Sequence, residues 1–397
     1  MSVYINAFGM ATPLGSGKRT NAENLFAGRQ VGFIDRPDLI PNRTVQIGAV
    51  AGSLPDIPSR LRRFDCRNNR LALAALVEIE ADIHAAIRSF GADRIGVVLG
   101  TSTAGMADGE AAFAQRREAG VWPVSFAYSQ QEIGNLAAFV ADYFALGGPA
   151  YTVTTACSSS AKVFASAERL LATGICDAVL AGGVDTICKL TLNGFNSLEA
   201  LAKGICLPFS RHRDGTNIGE GAAIALLSQR PDTVALLGVG ESSDAHHPSA
   251  PDPTGRGARA AMRAALDHAR LEPDAIAYIN LHGTATPLND AMEGRAVAVL
   301  FGARVPCSST KALTGHMLGA AGACEIGFLY LALDPDYADG RLPPHIWDGV
   351  PDPEIPALDL VEKGRTRASA KRQAMLSNSF GFGGSNVAVI LGTGFAG

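Results

Sequence analysis

Apolar residues along the chain follow two patterns. Short runs that are apolar on both faces and bounded by glycine include IGVVLG from residue 95, DAVLAGGV at 177–184 and VALLGVG at 234–240. Such runs predict strands buried on both sides within a parallel or mixed sheet. Helical spacing fills the segments between them. After Cys157, residues Val163, Phe164, Ala167, Leu170 and Leu171 share one helical face, and Gly174 is placed to end that helix. Residues 317–333, MLGAAGACEIGFLYLAL, are rich in small residues, contain Glu325 and are too short to cross a bilayer comfortably, so they predict a buried helix. Alternating strands and helices with no low-complexity linker predict an α/β body.

One design occurs twice. IGVVLGTSTAG (95–105) is a β-branched strand running into a Gly/Thr turn, and IAYINLHGTATP (276–287) repeats it. Each is followed by another strand and a small-residue helical stretch, TVTTACSSSA in the first case and VPCSSTKALTGH in the second. The echo predicts two duplicated α/β halves meeting near residue 238. Residues 1–238 then hold Cys157, and residues 239–397 hold His282 and His316.

Composition narrows the function. Of 397 residues 47% are apolar and 18% charged, with 44 glycines, enough for a large core with many tight turns. The net charge of −4 and pI near 6.1 argue against nucleic acid or an anionic membrane as the main partner. Seven cysteines without a CxxC pair or a Cys/His cluster at ligand spacing predict free thiols, a reducing compartment and no metal site. The opening MSVYINAFGMATPLG lacks the basic-then-apolar pattern of a signal peptide, so a cytoplasmic, membrane-free protein is expected.

Cys157 lies where a strand-like TyrThrValThrThr gives way to the helix. Free backbone N–H groups and the positive end of the helix dipole there favour a thiolate and can hold an oxyanion. A small buried cysteine is the competing interpretation, so position alone leaves the matter open. His282 in NLHGTATPLND and His316 in STKALTGHMLGAAG each follow a strand among Gly, Ala and Thr. If the halves are duplicates, both lie at the sheet edge where α/β proteins bind ligands. His84, His212, His246, His247, His268 and His345 sit in ordinary polar settings. Lys311 and Glu325 stand in small, apolar surroundings, which predicts a buried pair, structural or tuning the histidines.

With these contexts the chain resembles the β-ketoacyl-[acyl-carrier-protein] synthases, of the elongating branch of the thiolase superfamily. The likeness runs from INAFGMATPLG through VTTACSSSA, DAVLAGGVD, PFSRHRDGTNIGEGAA, SDAHHPSAPDPTG, LHGTATPLND and STKALTGHMLGAAG to LSNSFGFGGSN. Two histidines fit that branch; the initiating branch pairs a histidine with asparagine, and degradative thiolases use a second cysteine. The resemblance implies a thiolase-like fold of two duplicated βαβαβαββ halves in a layered α-β-α-β-α sandwich. It implies that Cys157 carries an acyl chain as a thioester, while His282 and His316 bind the malonyl thioester carbonyl during decarboxylation. Further implied roles are an oxyanion hole from the N–H groups of Cys157 and Phe382, and Lys311 and Glu325 as supports. Thr284 and Thr286 would contact the pantetheine arm or the malonyl carboxylate, and Phe380 and Phe382 belong to a gate loop at 379–384. No cofactor is implied, since phosphopantetheine arrives on the carrier.

SRLRRFDCRNNR (59–70) holds five arginines against the single acid Asp65. A solvated helix face is the plain interpretation, but carrier proteins are acidic, and Arg62, Arg63 and Arg67 match the docking region of the resembled family. The implied partners are acyl- and malonyl-carrier protein and a second synthase-like subunit, identical or related. Ala285, Asn289 and Ser385 depart from the usual pattern without removing a needed group, and residues 106–145 match it least. That stretch inclines the reading toward a dedicated polyketide or aryl-polyene-type pathway over primary fatty-acid synthesis. The alternative is a non-catalytic partner subunit of the chain-length-factor kind, which typically lacks the cysteine.

Overall fold

The computed structural model describes residues 2–395. Ten principal strands form one continuous sheet. The first five are β1 (Val3–Thr12), β2 (Ile95–Gly100), β3 (Ala150–Val153), β4 (Ala178–Asp185) and β5 (Gly221–Ser228). The second five are β6 (Ala235–Ser243), β7 (Ile276–Asn280), β8 (Pro306–Ser308), β9 (Gln373–Gly381) and β10 (Ser385–Thr393). Across the sheet the order is β3-β2-β4-β5-β1 and then β6-β10-β9-β7-β8. Within each group of five the third strand is outermost, and the fifth runs antiparallel to both its neighbours. The repeat heard in the sequence is therefore a repeat of topology, with β1 and β6 pairing antiparallel at the junction. Residue 238, placed at the seam by the sequence, falls inside β6.

The strands are apolar on both faces because both are covered. Along β2, Val98 packs into the central cluster while Val97 and Leu99 enter an outer one. Along β10, Val387, Val389 and Leu391 point to the centre, and Ala388 and Ile390 point outward. This period of two sends alternate residues to opposite helical layers. The central layer is built on helices Ser159–Ala172 and Ala321–Leu333. One outer layer contains Arg67–Val77 and Asn135–Phe144, the other Arg256–Ala269 and Pro287–Phe301. The architecture is the layered α-β-α-β-α sandwich.

Glycine sets how closely the nucleophile helix approaches the sheet. A Cβ on Gly100 would come within 2.5 Å of Ser160 N, and one on Gly183 within 2.4 Å of Ser160 Cβ. Both strand ends must be bare for Ser159–Ala172 to seat there. The buried stretch at 317–333 departs from the single helix predicted. It starts as a turn at Leu318–Ala320, with Leu318 at φ 50°, and the helix begins at Ala321. Asp185 and the Ser102 hydroxyl take the N–H groups of Ala320 and Gly319, which holds the turn open beside His316. No helix among the described residues is long and apolar enough to cross a membrane.

Candidate active site

Cys157 sits on a strained elbow between β3 and the helix Ser159–Ala172. Ala156 before it has φ 53°, a conformation costing on the order of 1–3 kcal/mol for a residue with a side chain. Three hydroxyl contacts hold the strain. Ser159 Oγ donates to Ala156 O at 2.6 Å and accepts the Thr155 N–H at 2.9 Å, while Ser158 Oγ donates to Thr155 O at 2.8 Å. The serines after the cysteine are thus parts of the turn, and Cys157 is left facing the cavity at its helix N-terminus.

Two loops from the second half of the chain complete the site. The His316 N–H donates to Asn217 O at 2.7 Å, and its carbonyl accepts the Gly219 N–H at 2.8 Å. This puts His316 Nε2 3.0 Å from Cys157 Sγ. His282, beyond the end of β7, crosses His316 nearly at right angles with ring centroids 5.3 Å apart. One ligand-type atom from each of Cys157, His282 and His316 lies within 4.8 Å of the other two. Three residues separated by as many as 159 positions thus meet at one point in the fold.

The peptide of His282 is gripped at both ends. Lys311 Nζ donates to the His282 carbonyl and pairs with Glu325 Oε1 at 2.5 Å, with both side chains 1% exposed. On the other side the fully buried Glu293 accepts the N–H of His282 at 2.8 Å and of Gly283 at 2.7 Å, and Asn378 adds a third donor at 3.1 Å. Glu293 was not singled out by the sequence, although its place in helix Pro287–Phe301, eleven residues after His282, was the available signal. Asp185 was also missed. It accepts from Thr101, Ser102 and Thr103 and fastens their loop to the turn after His316.

A cavity of about 350 Å³ opens onto this cluster, lined among others by Cys157, His282, His316, Phe195, Thr284 and Thr286. The Thr284 and Thr286 hydroxyls are bonded to each other at 2.9 Å. The two gate phenylalanines differ. Phe382 is 37% exposed and stacks on Phe195 at 5.4 Å, whereas Phe380 is buried with its ring 5.9 Å from His282. Phe380 is a buried wall of the cavity, and Phe382 is its part-exposed ring.

The arginine segment is less available than its sequence suggests. Arg67 is bound by both nitrogens to the buried Glu220, at 2.9 and 2.5 Å, so its charge is already matched. Arg63 pairs with Asp142 at 2.6 Å and lies over the Phe64 ring, and Arg62 donates to Val124 O at 3.1 Å. Arg62 and Arg63 are exposed.

Burial overrules the helix dipole at the nucleophile. The thiol of Cys157 is pushed up to about 11 by desolvation, against the pull of the Phe382 N–H, the Lys311 ammonium and its own N–H. The free thiolate expected at this helix end is not the resting form. Burial and the Lys311 charge hold both histidines well below the usual imidazole range. These shifts favour a neutral thiol against a neutral imidazole, with Sγ within hydrogen-bond reach of His316 Nε2. Because burial raises the thiol pKa above its ordinary value, the thiolate fraction keeps growing with pH through pH 9. Alkylation of Cys157 by iodoacetamide is therefore expected to accelerate continuously from pH 6 to pH 9, as followed by intact mass. A plateau below pH 9 would show a thiolate already formed.

Comparison with known proteins gives the same picture over nearly the whole chain. The family description "Beta-ketoacyl synthase, N-terminal domain" matches residues 1–233, and "Beta-ketoacyl synthase, C-terminal domain" matches 234–346. The 3-oxoacyl-[acyl-carrier-protein] synthase 2 of Staphylococcus aureus is 32% identical over 98% of this chain and 97% of its own. Its namesake from Synechocystis is 33% identical over 97% and 96%. A chain in the structure of the ketosynthase (ApeO) in complex with its chain length factor (ApeC) from Xenorhabdus doucetiae is 43% identical. It superposes with a TM-score of 0.94 over 99% of this chain and 98% of that one.

Proposed function

Because the chain belongs to the beta-ketoacyl synthase family, we propose that its Cys157, His282 and His316 carry out decarboxylative condensation of a carrier-bound acyl chain with malonyl-carrier protein. The convergence of these three side chains, with Sγ 3.0 Å from His316 Nε2, carries the proposal. In the first step Sγ attacks the acyl thioester carbonyl and its proton passes to His316. The tetrahedral oxyanion sits against the N–H groups of Cys157 and Phe382, the same two that act on the sulfur in the free enzyme. Its collapse breaks the bond to the carrier thiol, which leaves with the proton, and the chain stays on Cys157.

Malonyl-carrier protein then enters past Phe382, with Thr284 and Thr286 along the pantetheine arm or near the malonyl carboxylate. Once exchange of its ring proton has returned the hydrogen to Nε2, His316 joins His282 in donating from Nε2 to the malonyl thioester oxygen. The bond to the carboxylate breaks, carbon dioxide departs and its electron pair forms the enolate, whose charge the two donors stabilise. The enolate carbon attacks the acyl-Cys157 carbonyl, the carbon–sulfur bond breaks, and Sγ leaves as a thiolate that takes up a proton from solvent. Lys311, Glu325 and Glu293 touch no reacting atom; they fix the peptide of His282. The proposed cycle calls on no resident cofactor or metal, so chelators are expected to leave it unaffected.

For partners, we propose docking of the acidic carrier on the exposed Arg62 and Arg63, with Arg67 occupied by Glu220. The second subunit is proposed to be a related chain length factor, in a cytoplasmic polyketide-type pathway. The 43% identity to a chain of such a complex supports this, as does a bare apolar face. Val124 is 90% and Tyr128 68% exposed beside Phe113, Val121 and Trp122, in the stretch that matches the family least. β3, carrying the exposed Tyr151, is an edge strand paired only with β2.

Intact-mass measurement tests the reading. Acyl-carrier protein should add one acyl group to Cys157, and malonyl-carrier protein should then discharge it as a β-ketoacyl product with loss of carbon dioxide. If no acyl group is taken up even with a chain length factor present, the non-catalytic partner role replaces this one.

A further inference from the structure

Helix Lys189–Ser197 carries Phe195, the ring on which the gate residue Phe382 rests, yet nothing in its own first turn caps it. The cap comes from another element. Glu110, on helix Met106–Ala119, accepts the Lys189 N–H at 2.9 Å through Oε2 and the Leu190 N–H at 2.8 Å through Oε1. One carboxylate thus satisfies two orphan donors at the positive end of the helix, and each oxygen is committed to a different one. A glutamine of the same shape would accept one N–H and turn its own amide hydrogens toward the other.

Both ends of this link lead somewhere. One turn beyond Glu110 the same helix bears the exposed Phe113, whose ring meets Trp122 at 4.9 Å edge to face. Trp122 in turn stacks on Phe126 at 5.1 Å, which makes the apolar face a single aromatic body on the Glu110 helix. At the inner end Phe195 stacks on Phe382 and stands edge-on to His316 at 6.4 Å. Direct contacts therefore run from the apolar face, through Glu110 and the Phe195 helix, to the Phe382 ring that lines the cavity with Cys157.

We propose that Glu110 is a positioning residue that fixes the Phe195 helix and thereby ties the Phe113–Trp122 face to the Phe382 gate. The identity of that face as a subunit interface rests on the function proposed above; the tie from Glu110 to the gate does not. The side chain touches no substrate. It sets how often Phe382 uncovers the thiol, and a subunit seated on the aromatic face acts on the gate through it.

The test is the alkylation rate of Cys157 by iodoacetamide in the full chain, followed by intact mass, for wild type, Glu110→Gln and Glu110→Ala. Loss of an ordinary helix cap changes a local equilibrium about fivefold, so both variants are expected to alkylate about fivefold faster. The pH slope should be unchanged, since the surroundings of the thiol are untouched. The six other cysteines, all buried, serve as an internal control. A single added label per chain marks movement of the gate, whereas several labels would mark general loosening and overturn the proposal. Wild-type rates in both variants would overturn it as well. Glu110→Gln, which keeps the size of the side chain, decides the matter if Glu110→Ala fails to fold. Failure of acyl loading in the wild type would remove the proposed function and leave these rates standing.

Discussion

Replacing Cys157 with alanine is expected to abolish acyl-thioester formation and to lower condensation by at least about 10³-fold, with the fold retained. The side chain is small, and its neighbours Ser158 and Ser159 hold the elbow through their own hydroxyls, so little packing is lost. What disappears is the one thiol among the residues lining the cavity, the group the proposed reaction uses as its covalent carrier. The histidine pair survives the change. Malonyl-carrier protein should still lose carbon dioxide in Cys157→Ala, releasing acetyl-carrier protein, and should no longer do so when His282 is also replaced by alanine. Radiolabelled carbon dioxide release and intact mass separate the two steps. Condensation at more than a few per cent of wild type in Cys157→Ala would place the nucleophile elsewhere.

Lys311→Met is expected to damage both stability and chemistry. The substitution strands Glu325 in the core, where burial already pushes its carboxyl pKa up and the Lys311 charge is what opposes that rise. Removing one member of such a pair costs about 3–5 kcal/mol, and urea unfolding should show a loss of that size. The double change Lys311→Met with Glu325→Leu should recover much of the stability, because no lone charge remains. Turnover should not recover, because the His282 carbonyl has still lost its donor. A pH profile adds a sign. The Lys311 ammonium lowers the pKa of both histidines, so without it both rise. His316 must be neutral to accept the thiol proton, so activity on the acid side should fail at a higher pH than in wild type. Full turnover in the double variant would show that Lys311 acts through stability alone.

The three residues that converge at the cavity were legible in the sequence because each stands at a boundary that local rules detect. Cys157 follows a β-branched strand and precedes a helical period, and His282 follows a strand in a glycine and threonine turn. The supports of these residues were less legible. Glu293 reads as one more acid on an amphipathic helix, and only folding shows that helix Pro287–Phe301 turns it onto the backbone of His282. Asp185 closes an apolar strand, and the donors that hold it come from a loop more than 80 residues away. Arg67 looked like a free surface cation until Glu220, 153 residues later, was found against it.

The sequence by itself marked the two-fold plan of strands and helices, the Cys157, His282 and His316 that the fold brings together, and the buried Lys311 and Glu325. Each of these leaves a local mark: a period, a turn residue, or a charge among small apolar neighbours. Only the tertiary structure decided the raised pKa of Cys157, the different exposure of Phe380 and Phe382, and the partners each arginine of 59–70 takes. Those depend on desolvation and on partners distant in sequence, and both come into being only when the two halves of the chain close on one another.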